Sequence, residues 1–419
     1  MIRALSRRRG VIKKSGVHYI DDITKIIEYC IYGILIGAVV GFAGTYLGKA
    51  IGLATKFRSE NTWIISCLPV AGLLIVLIYQ LAKTSTDLGT NRILNTIRNN
   101  DEGLPLVGAP LIFVSTVLTH LCGGSAGRES AALLLGASLA CFIGRKIKLK
   151  HSDMRIITMC GMAAGFTALF GTPFAACIFA LEILANKIRY AALLPVFLSS
   201  ISAKLFATLF GAEAESYTIE VIPDLDVLTV LKVCVLAALT ALLSVGMCIV
   251  LETSHELYKK FLKNQYIRIF VGGVVVAGLT ILFGAETYAG AGGNIIEKAI
   301  EGETESFAFV IKLLLTALTL GAGFKGGEIV PTLFVGATFG CAVGPLLGLD
   351  PGFAAAMAMM ANFAGNTNCP LAAIALATEL FGGNSILFFT LSIIISYTLS
   401  GKYSLYSDQK LMDSKFSID

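Results

Sequence analysis

Apolar residues run in long blocks along this chain, roughly 29–55, 61–82, 104–121, 131–144, 154–170, 173–184, 191–211, 226–251, 268–283, 306–320, 332–348, 352–364, 370–381 and 385–399. A helix needs about 20 residues to cross a bilayer. Some blocks reach that length, whereas 173–184, 352–364 and 370–381 fall short of it. Short apolar pieces joined by Gly, Pro and Asn predict half-helices and re-entrant segments. Non-helical backbone at membrane depth persists only where it is buried in protein or lines a watery cavity, so the breaks predict where function lies. The expected architecture is all-α and polytopic.

Composition agrees with a chain whose solvent is mostly lipid. Of the 419 residues, 55% are hydrophobic and 15% charged, and the mean hydropathy is +0.77. A soluble domain carries about 25% charged residues. The 43 glycines cluster at block ends, where they let a helix break or two backbones approach. The net charge is +5, with Arg3, Arg7, Arg8, Arg9, Lys13 and Lys14 crowded at the start. Such a tail can bind nucleic acid, but beside apolar spans it reads as a positive-inside anchor. It places the N-terminus in the cytoplasm and the protein in the cell membrane, with no nucleic-acid partner. Arg145, Lys146, Lys148 and Lys150 form a second basic flank, and Lys187 and Arg189 a third. The division expected is a basic segment over 1–26, a transport domain over 27–401, and a C-terminal helix with a short tail over 402–419.

The ten cysteines form no CxxC and the four histidines are scattered; His120 and Cys122 lie close, but two ligands do not make a metal site. Neither metal, cofactor nor disulfide is expected. An intramembrane enzyme would need a nucleophile–base pair, which these residues do not offer.

An internal repeat is the most informative feature. GGSAGRESAALLLGASLAC (123–141) matches GFKGGEIVPTLFVGATFGC (323–341), with Gly123, Gly127, Gly136, Ala137 and Cys141 recurring as Gly323, Gly327, Gly336, Ala337 and Cys341. TPFAACIFALEIL (172–184) matches CPLAAIALATELF (369–381), where Pro173 and Glu182 recur as Pro370 and Glu379. Two halves, about 27–211 and 226–401, with helices broken at equivalent places, point to a transporter whose site lies between the repeats.

Glycine-rich turns that open a helix offer free N–H groups and the positive end of a dipole, a setting that binds anions. Three places fit: Asp87-Leu88-Gly89-Thr90, Gly127-Arg128-Glu129-Ser130, and Gly326-Gly327-Glu328-Ile329. Glu129 sits inside one. A carboxylate in an anion path competes with the anion when charged and leaves when protonated, so Glu129 is the candidate gate and proton carrier. The bland alternative is a carboxylate paired with Arg128. Glu328 is the second candidate, against the alternative of a helix-start residue favoured by the dipole. Glu182 and Glu379, at equivalent segment ends, read as packing residues.

At these residues the chain resembles the CLC family of anion channels and transporters. GRES (127–130) resembles G-[RK]-E-G-P, GGEIVP (326–331) resembles G-x-F-x-P, SLYS (404–407) resembles the segment with the pore tyrosine, and DLGTNRI (87–93) stands where G-S-G-I-P is expected. The resemblance implies an inverted repeat, a homodimer with one pore per subunit, and a halide, fluoride or chloride, exchanged for protons across the lipid bilayer. It implies Glu129 and Glu328 as gating and proton-transfer residues. It implies an anion path along Leu88, Gly89, Thr90, Gly127, Arg128, Gly327, Glu328, Ile329 and the Tyr406 hydroxyl. Leu88 replaces the selectivity serine, Ile183 replaces the inner proton glutamate, and Glu328 makes the third motif acidic. Together these resemble the fluoride/proton antiporter branch, although Leu88 and Val330 stand where that branch has Met and Thr. A passive gated chloride channel is the alternative reading.

Overall fold

A computed structural model describes residues 2–86, 89–99, 103–184 and 190–409, with side chains of 2–22, 99, 151, 152 and 190 left aside. Leu88, Lys187 and Arg189 lie outside the described residues. Sixteen α-helices carry the described chain, in two sets of eight. The first set is α1 Ile2–Glu60, α2 Leu68–Leu81, α3 Thr90–Asn99, α4 Gly108–Leu121, α5 Glu129–Lys146, α6 His151–Phe170, α7 Pro173–Glu182 and α8 Tyr190–Leu209. The second is α9 Val227–Phe261, α10 Gln265–Leu282, α11 Gly293–Ile300, α12 Ala308–Ala322, α13 Ile329–Val343, α14 Pro351–Thr367, α15 Pro370–Phe381 and α16 Ile386–Leu399. Seven are long and apolar enough to cross a membrane.

The neighbours repeat as the sequence does. α5 packs on α6 as α13 packs on α14, and α6 on α8 as α14 on α16; across the two halves α2 meets α10 and α7 meets α15. This is the inverted repeat expected. The breaks also recur. Gly123 and Gly323, after α4 and α12, adopt φ of +83° and +108°, a left-handed turn that a side chain would strain. After α6 and α14 the equivalent left-handed residues are Gly171 and Asn368. Pro173 and Pro370 then open α7 and α15 at a position where a missing N–H costs nothing.

Packing is inside out relative to a soluble protein. Leu242, Leu282, Phe283 and Leu346 face outward, while the centre is lined with small residues that let helices touch through their backbones. Gly33, Gly37 and Gly41, one turn apart on α1, lie against backbone oxygens of Pro195, Ser199 and Ala203 on α8. A Cβ on Gly136 would stand 2.1 Å from the Gly161 oxygen, and one on Gly161 would stand 2.3 Å from the Gly136 oxygen. Residues 401–409 form turns, and the rest of the segment 402–419, where a C-terminal helix is expected, lies outside the described residues. Asn91 and Asn95 of α3 bond to the Ser407 and Asp408 side chains, and Asn366 of α14 and Asn368 after it bond to the backbone of Leu405 and Tyr403.

Because the α5–α6 contact has no room for a methyl group, Gly161→Val is expected to destabilise the protein by more than about 3 kcal/mol. Thermal unfolding in detergent checks this against Gly278→Ala on α10. A Cβ there meets nothing within 4 Å, so that change is expected to be neutral or stabilising by up to about 1 kcal/mol.

Candidate functional site

The two repeat-related turns before α5 and α13 meet head to head. Gly127 N–H donates to the Gly327 carbonyl at 2.8 Å, and Gly327 N–H donates back to the Gly127 carbonyl at 2.9 Å. Two helix N-termini, each worth about half a positive charge, therefore face one point from opposite sides. A corollary corrects the sequence reading. The amides of Gly127 and Gly327 are consumed by each other, so these glycines supply space and not anion donors. A Cβ on Gly127 or Gly327 would stand 2.2 Å or 2.1 Å from a Glu129 carboxylate oxygen, which is why both positions lack one.

The space they leave holds Glu129, which is fully buried. Its Oε1 accepts from the Val330 N–H at 3.1 Å. Thus the gate candidate lies across the start of α13, the opposite half of the molecule. Its Oε2 has no hydrogen-bond partner. Arg128 does not pair with Glu129; it forms an ion pair with Glu215 in the segment after α8, and so is turned away from the junction.

On one side of the junction opens a cavity of about 470 Å³, lined among others by Gly89, Thr90, Ser130, Glu328 and Tyr406. Arg92, Lys259, Arg268 and Lys325 face it against Glu328 and Asp408, so its walls are net positive. A chain of hydroxyls leads inward: Thr90 Oγ1 donates to Ser130 Oγ at 3.1 Å, and Ser130 Oγ donates to Glu328 Oε2 at 3.1 Å. Glu328 is the N-cap of α13. Tyr406 is 2% exposed, and its Oη has no partner. Its position is fixed by neighbours: Asn366 O accepts from Leu405 N–H at 2.9 Å, Asn95 Nδ2 donates to Asp408 at 2.7 Å, and Asn91 Nδ2 donates to Ser407 at 3.2 Å. An orphaned buried hydroxyl and an orphaned carboxylate oxygen are costly unless something passes between donors and acceptors here.

On the other side lies a cavity of about 620 Å³, lined by Arg58, Arg128, Glu215, Gly292, Val330 and Leu333 among others. The junction separates the two. The structure thus places Gly89, Thr90, Glu328 and Tyr406 on the smaller cavity, Glu129 and Ile329 at the junction, and Arg128 on the larger cavity, and leaves Leu88 outside the described residues.

The sequence of the whole path now has a family. The profile of the voltage gated chloride channel family matches residues 70–401. The chain belongs to this CLC family. Across nearly the whole CLC chain, a chloride/fluoride channel protein of Pseudomonas syringae pv. tomato is 33% identical, covering 94% of this chain and 89% of the relative. An H(+)/Cl(-) exchange transporter of Vibrio cholerae is 24% identical, covering 89% of this chain and 87% of its own. The crystal structure of a CLC-type fluoride/proton antiporter superposes with a TM-score of 0.89 at 32% identity, over 92% of this chain and 98% of that one. A slow cyanobacterial Cl-/H+ antiporter shares the fold, with a TM-score of 0.78 at 18% identity over 89% and 94% of the two chains.

Other residues emerge only in three dimensions. Glu182 accepts from the amides of Leu371 and Ala372 at 3.0 and 2.8 Å, capping α15. Glu379 accepts from Phe174 and Ala175 at 3.1 and 2.8 Å, capping α7. Each half caps a helix of the other, which gives both carboxylates the packing role expected. Ile183, fully buried, offers its carbonyl to Gln409 Nε2 at 3.3 Å. Lys312 and Arg58, both buried, were absent from the sequence reading, although a single lysine inside the apolar run 306–320 is a signal by itself.

Replacing Glu379 by Gln keeps the shape and removes the charge that faces the α7 dipole. The expected cost is about 1 kcal/mol of stability, read as a lower midpoint in thermal unfolding, with halide transport retained.

Proposed function

We propose that this protein exchanges a halide for protons across a membrane, with fluoride favoured over chloride. The observation that carries the proposal is Glu129, a buried carboxylate bonded through one oxygen to the Val330 amide at the start of α13 and unsatisfied at the other. It occupies, as a tethered anion, the place that a free anion would take. Charged, it holds the amide against an incoming halide. Protonated, it no longer competes, and the halide takes its place. Tyr406 Oη supplies a donor on the side of the net-positive cavity.

Protons need a route to Glu129, and Ile183 provides none. Glu328 and its Ser130–Thr90 hydroxyl chain open into the same cavity that admits the anion. They support a shared entry for both ions. Fluoride is supported by the combination of Ile183 and Glu328, and by the 33% and 32% identities to the chloride/fluoride channel protein and the fluoride/proton antiporter. On this reading the Glu328 cavity is the inner one and the Arg58 cavity the outer one. The N-terminus is cytoplasmic because of its basic cluster, in the cell membrane of a homodimer with one path per subunit. Ile183 also favours a second reading, a passive channel, since it removes the proton acceptor of chloride exchangers.

Anion efflux from liposomes, followed with fluoride and chloride electrodes and a pH probe, separates the two. The expected result is fluoride efflux with proton uptake, loss of proton movement in Glu129→Gln, and proton flux lowered by about 10²-fold in Glu328→Gln. Halide efflux at the same rate with no proton movement in the unmodified protein would replace exchange by a channel.

A further inference from the structure

Behind the junction, on the side of the larger cavity, two cations are buried with no carboxylate in contact. Lys312, on α12, is fully buried. Its Nζ donates to the Tyr288 carbonyl at 3.0 Å and the Gly290 carbonyl at 2.5 Å, and lies 5.1 Å from the centroid of the Phe334 ring on α13. Arg58, at the end of α1, is 6% exposed. It donates to the His120 carbonyl and to the Ala289 carbonyl at 3.3 Å. Three successive carbonyls, 288 to 290, thus hold two cations. The start of α11 adds a further partial positive charge: a Cβ on Gly292 would stand 3.6 Å from Lys312 Nζ.

Carbonyls solvate a cation but do not neutralise it. Two buried positive charges without a counter-charge are strongly unfavourable. The other charges nearby do not supply one. His120 carries no negative charge, Glu215 is engaged by Arg128, Glu305 is bonded to the Tyr288 hydroxyl at 2.5 Å, and Glu286 lines the same cavity as Arg58 but forms no ion pair with either cation among the described residues. Val330, whose N–H holds Glu129, lines the larger cavity. Arg58 lines the cavity itself.

We propose that Arg58 and Lys312 are positioning residues, a fixed pair of counter-charges that requires one negative charge near the outer face of the junction at all times. Glu129 supplies it when ionised. When Glu129 is protonated, a halide must supply it. The pair therefore forbids the state that breaks coupling, a neutral Glu129 with an empty path. The inference rests on the exchange reading above and gives it a source of tightness.

The test uses purified full-length protein, with sodium fluoride titrated calorimetrically in detergent and ion fluxes measured in liposomes. Lys312→Met is expected to weaken fluoride binding by about tenfold or more, and to lower the number of protons moved per fluoride. Lys312→Arg restores both, which lost packing alone would not allow. Arg58→Gln keeps donors for the carbonyls while removing the charge; it is expected to act in the same direction and decides the matter if Lys312→Met does not fold. Any folded charge-removing variant with unchanged affinity and unchanged proton-to-fluoride ratio overturns the proposal. If both fail to fold, Lys312→Arg decides alone: coupling kept supports it, coupling lost overturns it. Failure of the exchange reading looks different, because the unmodified protein would then move no protons with fluoride.

Discussion

Everything in this molecule is arranged around a pair of hydrogen bonds between Gly127 and Gly327. They force two helix N-termini to confront each other, an arrangement that is electrostatically unfavourable without a negative charge between them. The protein meets this demand with Glu129, whose carboxylate crosses from α5 to the Val330 amide of α13. A tethered anion satisfies the junction without sealing it permanently, since one proton is enough to weaken its hold. On the proposed exchange reading, gate and binding site are one object, and no separate moving part is needed to couple them.

The surrounding fold serves that junction. Close contacts between small residues, such as Gly136 with Gly161, fix the axes of α5 and α6, and the equivalent contacts fix α13 and α14. The net-positive wall of the smaller cavity raises the local concentration of anions. The polar bonds from Asn91, Asn95 and Asn366 hold the Tyr406 segment across the mouth of the smaller cavity. Rigid helices thus carry the charges, and loops only deliver one hydroxyl.

Much of this could be read from the chain. Broken apolar blocks and the recurrence of Gly123, Gly127 and Pro173 as Gly323, Gly327 and Pro370 gave the two halves and the place where they meet. The meeting itself was not legible: nothing in a one-dimensional pattern says that Gly127 and Gly327 spend their amides on each other, or that Arg128 turns to Glu215. Lys312 was visible as a charge in an apolar run and went unread. Arg58, in the last turn of α1, carries no such mark in the sequence.

The crossed caps of Glu182 and Glu379 bear on how such a chain is made. The first amides of α7 stay without their carboxylate until Glu379 has been synthesised, 205 residues after Phe174. The first half therefore enters the bilayer unfinished, with polar backbone at a helix start that only the second half can cover. Each half leaves one helix start for the other to cover, so the ends of α7 and α15 are closed only when both halves are present.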